Sequence, residues 1–457
     1  MIAVAFDNIS IDGDRVHVQS PEPYKISKFY YSYHLVPIFM ERPDQFKLLS
    51  VSEALRTGTK FLYPLEFYSI FYALIAGVIS DTGGFDLANG FNPEVLKAAR
   101  QGKCVILFSD ATEGRTYDYA SDNGVIYVFD FLQQFITSND LPAQNVWFVS
   151  GNPLGYVDFE SWKLARNIKS EHCFNFVAEN ISPFHLRCIY ESRRRGQDIN
   201  IRPTDRISAT SFHRFKVDPS EAPQDQPTAG QVGLREKEFI NLNSNIRPHR
   251  QLFVTLLKSL GMLERGFISL RKVEANQETR LLMRQFGLDD AWLQLERDLP
   301  LNVDLDNHRI DNNFQTFYPR NSLFHKKSYI NFVSETWFFE LQGQRHTHCT
   351  EKVIQPVITF QPFLIVGRSN ALATMRKAGY WTFSDFWDES YDQYINNAER
   401  FEKLMVTVSG ISKMSRSDIH SIYIECLPIL KHNFSVFLNA PLEWDRIFSQ
   451  INQTLSK

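Results

Sequence analysis

No Cys-x-x-Cys pair occurs in this chain, and its five cysteines (Cys104, Cys173, Cys188, Cys349, Cys426) are odd in number and far apart. That usage excludes a disulfide framework and a zinc knuckle, and it fits a reducing compartment. A long apolar run is also missing: the most apolar stretch, FYSIFYALIAGVI at 67–79, is too short to span a bilayer. The start, MIAVAFDNIS, lacks the basic segment and cleavage-like site of a secretory leader, so a cytoplasmic protein with no membrane span is expected. Charge of one sign is balanced away. The formal net charge of -3 argues against a chain built throughout to coat nucleic acid or an anionic membrane. There is no internal repeat and no long low-complexity tract.

What is present is bulk and aromatic mass. At 457 residues and 43% hydrophobic the chain can build two domains, each with its own core. The 38 phenylalanines supply either thick aromatic cores or stacking surfaces. Up to about residue 216 helix-like and strand-like segments alternate. NPEVLKAARQGK (92–103) has helical spacing, CVILFS (104–109) is a buried strand, and NVWFVSGN (145–152) is a strand entering a turn. This is the grammar of an α/β domain. The stretch DPSEAPQDQPTAGQVG (218–233) has almost nothing to bury and reads as a linker. The expected division is an acceptor-side domain over 1–217, that linker, and a second domain over 234–457 that ends in two amphipathic helices around SRSD.

The second domain carries the informative stretches. FINLN is a strand, SNIRPHR a turn and QLFVTLLKSLGML a helix, so Arg247 and Arg250 stand where strand passes to helix. SYINFVSETWF (328–338) is a further strand with Glu335 at its end. In TEKVIQPVITFQPFLIVG (350–367), Thr350 caps a helix whose first turn holds Glu351 and Lys352, and PFLIVG returns as a buried strand. Ligands of open parallel sheets bind beyond the carboxyl ends of the strands, where helix N-termini attract phosphate. There Lys352 would meet a diphosphate, Glu351 would accept from ribose hydroxyls, and Arg250 would offer a fork to phosphate oxygens. On spacing alone, Glu351 and Lys352 also read as an ordinary solvated first-turn pair, and Arg247 and Arg250 as surface charges.

TEKVIQPVITFQPFLIVG resembles the nucleotide-sugar-binding signature of fucosyltransferase-like glycosyltransferases, and FINLNSNIRPHRQLFVTLL is similar to the same family's earlier strand, turn and arginine-bearing helix. The longer context over roughly 237–400 is also similar to glycosyltransferase-like proteins of bacteria and large phages. The resemblance implies two Rossmann-like domains facing across a cleft, the arrangement called GT-B. The second domain would hold a nucleoside-diphosphate sugar through Arg247, Arg250, Glu335, Glu351 and Lys352. SNIRPHR is shorter and more basic than the fucosyltransferase pattern, so the identity of the donor sugar does not carry over.

Sugar transfer needs a base for the acceptor hydroxyl and positive charge for the departing diphosphate. Lys352 and Arg250 would meet the second need with no metal and no cofactor. For the first, SDATEGRTYD follows a buried strand and offers Glu113 first and Asp110 second, with Asp81 a further candidate. A metal-dependent alternative would use an Asp-x-Asp pair, DGD at 12–14 or DLD at 304–306. The stretch 187–216 contains eight Lys or Arg against three acids, with Arg193, Arg194 and Arg195 in a row. It is either a solvated basic face or the grip on a polyanionic acceptor, a phosphorylated glycan or DNA with a hydroxymethylated base. A glycan- or nucleic-acid-binding protein without turnover is the reading of a different class.

Overall fold

The computed structural model describes the chain except for residues 14, 20–34, 68–90, 111–117, 122–123, 153–154, 180–181, 204–208, 217–232, 244, 303–321, 340–348 and 442. The chain forms two compact units, Met1–Ala222 with Pro441–Lys457, and Pro223–Ala440. The expected linker and the apolar stretch after residue 67 lie outside the described residues. Among those described, no helix is long and apolar enough to cross a membrane.

The first unit is built on a six-stranded sheet in the order Asn175–Ala178, Val146–Ser150, Cys104–Asp110, Phe61–Glu66, Ile2–Phe6, Phe46–Ser50, paired in parallel throughout. Strands such as IAVAF and VWFVS are buried at every position, as a parallel sheet covered on both faces requires. Many of the phenylalanines build this core. Phe67, Phe91, Phe108, Phe129, Phe135, Phe148, Phe159 and Phe176 are all buried, with centroids as close as 4.6 Å for Phe159 and Phe176. A four-stranded antiparallel sheet joins Asn8–Asp12, Arg15–Gln19, Ala209–Lys216 and Gln197–Pro203.

The last helix corrects the expected domain boundary. Glu443–Ser456 belongs to the first unit, where Trp444, Ile447, Phe448, Ile451 and Leu455 form a buried stripe. Phe448 meets Phe46 at 4.9 Å and Phe39 at 5.8 Å between ring centroids, and Arg42 reaches Asp445. An amphipathic stripe shows that a helix packs, but not on what, so sequence order alone assigned it to the wrong core.

The second unit carries a sheet in the order Leu301–Asn302, Gly266–Leu270, Lys237–Asn241, Ser328–Ser334, Phe363–Val366, parallel except for the first of these. The expected strands and the helices Pro248–Ser259, Glu351–Ile358, Asn397–Ser412 and Arg416–Asn439 are all present. The longest of them starts at a capping box, with the Asp418 N–H donating to Ser415 Oγ at 3.2 Å.

Within that sheet Gly266 lies under Phe239 so closely that a Cβ would stand 2.2 Å from Phe239 Cε2. Phe239 is 1% exposed and cannot swing away into solvent. Gly266→Ala is therefore expected to destabilise the second unit by about 1–3 kcal/mol, read as a lower urea midpoint. An unchanged midpoint would show that the ring can be accommodated elsewhere.

Candidate functional site at the carboxyl edge of the second sheet

In the second unit the carboxyl ends of three neighbouring strands bring together most of the residues singled out from the sequence. Lys237–Asn241 leads through Arg247 into the helix Pro248–Ser259, Ser328–Ser334 leads into Glu335, and Phe363–Val366 leads into Arg368. Glu335 is 1% exposed and ties these parts together. Its Oε1 accepts the Thr350 N–H at 2.8 Å, and its Oε2 accepts the Thr350 hydroxyl at 2.7 Å and the Thr336 N–H at 3.1 Å. Its main-chain carbonyl accepts from His249 Nε2 at 2.9 Å and Arg250 Nη2 at 3.1 Å.

That grip fixes the helix start at Glu351. Thr350 caps it as the sequence suggested, accepting the Lys352 N–H at 3.3 Å while its own hydroxyl donates to Glu335. Lys352 Nζ lies 2.5 Å from Glu351 Oε1, 3.2 Å from Thr350 Oγ1 and 3.4 Å from Thr336 Oγ1. Both side chains of the pair keep partial access to solvent, 29% for Lys352 and 16% for Glu351. They remain reachable by a ligand.

Arg250 has a different position from the one its sequence context suggested. It is 3% exposed and its guanidinium donates to the carbonyls of Asn245 at 2.7 Å, Ser334 at 3.2 Å and Glu335 at 3.1 Å. It braces the turn against the strand end. Burial lowers its pKa to about 10, with Glu335 acting in the opposite sense. The neighbouring His249 is held neutral by burial and by Arg250, with its pKa lowered to about 3.

Two residues missed from the sequence complete this edge. Trp337 lies two residues beyond Glu335, and the guanidinium carbons of Arg247 and Arg368 stand 5.0 and 5.7 Å from its ring centre. Arg368 follows a strand end just as Arg247 does, and applying the same strand-to-turn rule to GRSN would have found it. The helix Ala371–Lys377, by contrast, is closed to an anion. Buried Asp392 fills its start, accepting the N–H groups of Leu372 at 3.0 Å and Ala373 at 3.2 Å.

The carboxyl edge of the first unit carries acids. Asp7 is occupied by the Tyr63 hydroxyl at 2.6 Å and Asn92 Nδ2 at 2.8 Å. Asp110 ends its strand and is 5% exposed, whereas Glu113 and Asp81 lie outside the described residues. Glu179, which the sequence reading passed over, follows the edge strand Asn175–Ala178 and donates its N–H to Ser150 O at 2.7 Å. Burial pushes its carboxyl up to about 7, against the pull of Arg446. Sequence gave no signal for it, because a single glutamate after a short strand is common.

The arginine run is divided. Arg193 is buried at 3% exposure, and Arg194 and Arg195 are exposed, with Arg195 Nη2 2.9 Å from Glu41 Oε2. Arg193 and Arg194 close the helix Ser182–Arg194 and Arg195 lies in the turn beyond it, so of the three expected acceptor contacts Arg193 is the one the fold buries. Of the Asp-x-Asp triplets, Asp12 sits in an antiparallel hairpin opposite Arg15, while Asp14 and the triplet at 304–306 lie outside the described residues. Among the described residues no group of three or more His, Cys, Asp or Glu could hold a metal ion.

No known protein family and no curated protein matches the chain. Among solved structures, the chain is similar to a GtfA/B complex at 9% identity and a TM-score of 0.32, over 80% of this chain and 56% of that one. It is also similar to a putative UDP-N-acetylglucosamine 2-epimerase from Listeria monocytogenes at 10% identity and a TM-score of 0.34, over 99% of this chain and 95% of that one. The chain thus spans little more than half the length of the first. Any functional reading rests on the residues at the two sheet edges.

Proposed function

We propose that this protein is a glycosyltransferase of GT-B type that takes its sugar from a nucleoside-diphosphate donor held at the carboxyl edge of the second unit. The observation that carries this reading is the reachable Glu351–Lys352 pair at a capped helix start, locked in place by Glu335. Lys352 faces the diphosphate together with the helix N-terminus, and Glu351 accepts from the ribose hydroxyls. Arg247 adds a second cation, while Arg250 supports the site from behind. A carboxylate base takes the proton of an acceptor hydroxyl. The hydroxyl oxygen then bonds to the anomeric carbon as the bond from that carbon to the diphosphate breaks, and the diphosphate leaves with the electron pair. Fixed cations stabilise that charge with no metal required by the scheme. The acceptor is a hydroxyl-bearing molecule. The polyanion form of that idea, a phosphorylated glycan or modified DNA, keeps Arg194 and Arg195 as contacts and loses Arg193.

The Glu-Lys pair yields a test with opposite signs for two ligands. Lys352→Ala is expected to weaken both inorganic diphosphate and the preferred nucleoside diphosphate about tenfold. Glu351→Gln is expected to weaken the nucleoside diphosphate by a similar factor, yet leave inorganic diphosphate bound as tightly or more tightly, since Lys352 loses its neutralising neighbour. Calorimetric titration of both ligands reads this directly. Equal losses for the two ligands in Glu351→Gln would remove the ribose role, and no binding by the wild type would remove the donor site.

Glu179 sets a pH dependence of its own. Its carboxyl is raised from 4.5 to about 7, so between those values the folded state holds more protons than the unfolded state. Its contribution to stability is fully present below about pH 4.5 and is lost as pH rises through 7. His249 has the opposite sign. Its pKa is lowered from 6.5 to about 3, so its contribution is present above 6.5 and is lost as pH falls towards 3. Glu179→Gln removes only the first effect, and its Tm relative to wild type should climb by a few degrees between pH 4.5 and 8. A constant difference across that range would mean that Glu179 titrates normally.

A further inference from the structure

We infer that Trp381 is the platform of a carbohydrate-binding site on the second unit, its open indole face taking the apolar face of a pyranose ring in a neutral glycan. The inference goes beyond the donor-site reading, because this ring stands at the other end of the sheet.

Its place follows from its neighbours. Phe383, two residues on, packs at 5.0 Å between ring centroids against Phe363, the first residue of the strand Phe363–Val366. Phe434, in the helix Arg416–Asn439, packs at 4.6 Å against Phe360, which precedes that strand. Both anchors lie at the amino end of the strand, whereas Glu335, Glu351 and Lys352 stand at the carboxyl edge.

The chain fixes this ring and leaves it in solvent. Buried Asn433 grips both main-chain groups: the Trp381 N–H donates to Asn433 Oδ1 at 2.7 Å, and Asn433 Nδ2 donates to the Trp381 carbonyl at 2.8 Å. His432, one residue earlier on the same helix, stacks on the indole with ring centroids 3.9 Å apart and planes 15° from parallel. The imidazole is pinned in turn, since its Nε2 donates to the Gly379 carbonyl at 2.9 Å. Even so, Trp381 is 52% exposed, while Trp147, Trp292, Trp387 and Trp444 are 6% exposed or less. With one face covered by His432, that much open surface leaves the opposite face bare. A buried tryptophan is ordered by the core it fills, but this one is ordered without that gain, as a preorganised contact surface would be.

The surroundings choose among ligands that stack on an indole. Arg376, Lys377, Ser384 and Asp385 are exposed on either side of it along the chain, and the Thr382 hydroxyl accepts from Arg376 Nη1 at 2.9 Å. A protein partner would need a contiguous apolar patch, which this polar rim interrupts. A nucleic acid strand would need an excess of positive charge, but Arg376 is paired with Glu389 at 3.1 Å and Asp385 offsets Lys377 in sign. One flat apolar face within a polar rim of both signs suits an uncharged ligand that is apolar on one face and edged with hydroxyls. A pyranose ring has that form.

The test is titration with linear neutral oligosaccharides of glucose, galactose, mannose and N-acetylglucosamine, with an oligothymidylate as the competing class and UDP and GDP as donor-site probes. Calorimetry and tryptophan emission read binding on wild type, Trp381→Ala, Trp381→Phe and His432→Ala. Wild type should bind at least one oligosaccharide, with a change in emission that Trp381→Phe lacks. Trp381→Ala should weaken it about tenfold, and Trp381→Phe, which keeps a smaller aromatic face, about threefold. His432→Ala should also weaken it about threefold, because His432 is a positioning residue for the ring. Nucleotide affinity should be the same in all four proteins, and Trp381→Phe carries the test if the alanine variant does not fold.

A wild type that binds no oligosaccharide would overturn the inference, and so would wild-type affinity in both Trp381 variants. Binding of the oligothymidylate through Trp381 in preference to every oligosaccharide would assign the ring to nucleic acid and likewise overturn it. Oligosaccharide binding lost with Trp381 in a protein that binds neither UDP nor GDP would support this site and remove the donor-site reading alone.

Discussion

The carboxyl edge of the second sheet depends on one buried side chain, Glu335. A carboxylate at a strand end would normally turn to water, but this one is 1% exposed and accepts three hydrogen bonds, two from Thr350 and one from Thr336. A buried carboxylate requires such partners, and meeting that need determines where the next helix begins. The same residue's carbonyl receives His249 and Arg250, so the turn before Pro248–Ser259 is fixed by the same point. Gly367 completes the fit. A Cβ there would sit 3.4 Å from Glu335 Cβ and 3.1 Å from Ile365 Cγ2.

From that point the reachable groups follow in order. Glu351 and Lys352 stand in the first turn of the helix that Glu335 anchors, and Trp337 is two residues further along the same loop. The site is thus a rigid scaffold of buried polar bonds that presents a small number of accessible charges, the arrangement that preorganised binding calls for. The first unit repeats the principle with acids. Its parallel strands end in Asp7, Asp110 and, one residue past the edge strand, Glu179, and of these Asp7 is held by Tyr63 and Asn92.

The sequence made much of this legible. Strands buried on both faces are written as continuous apolar runs, so CVILFS, NVWFVS, SYINFV and PFLIV were readable, as was Thr350 as a cap. Arg250 was not, because one position in a turn cannot reveal whether a guanidinium faces solvent or the carbonyls of a distant strand. Trp337 and Glu179 were silent for a similar reason: the surroundings of the ring come from Arg247 and Arg368, far off in the chain, and the raised carboxyl comes from burial that only the fold supplies. The last helix shows the same limit at a larger scale. Its stripe of Trp444, Ile447, Phe448 and Ile451 was evident, but only the fold supplies Phe39 and Phe46 as its partners.

The most direct measurement is amide hydrogen exchange with and without a saturating nucleoside diphosphate, resolved to peptides along the whole chain. If the second sheet edge holds the donor, protection concentrates in peptides covering Ser334–Trp337 and Thr350–Lys352, with the first unit little changed. Protection confined to the first unit, or absent from both of those segments while the ligand is bound, would contradict the assignment of the donor to the site that Glu335 builds.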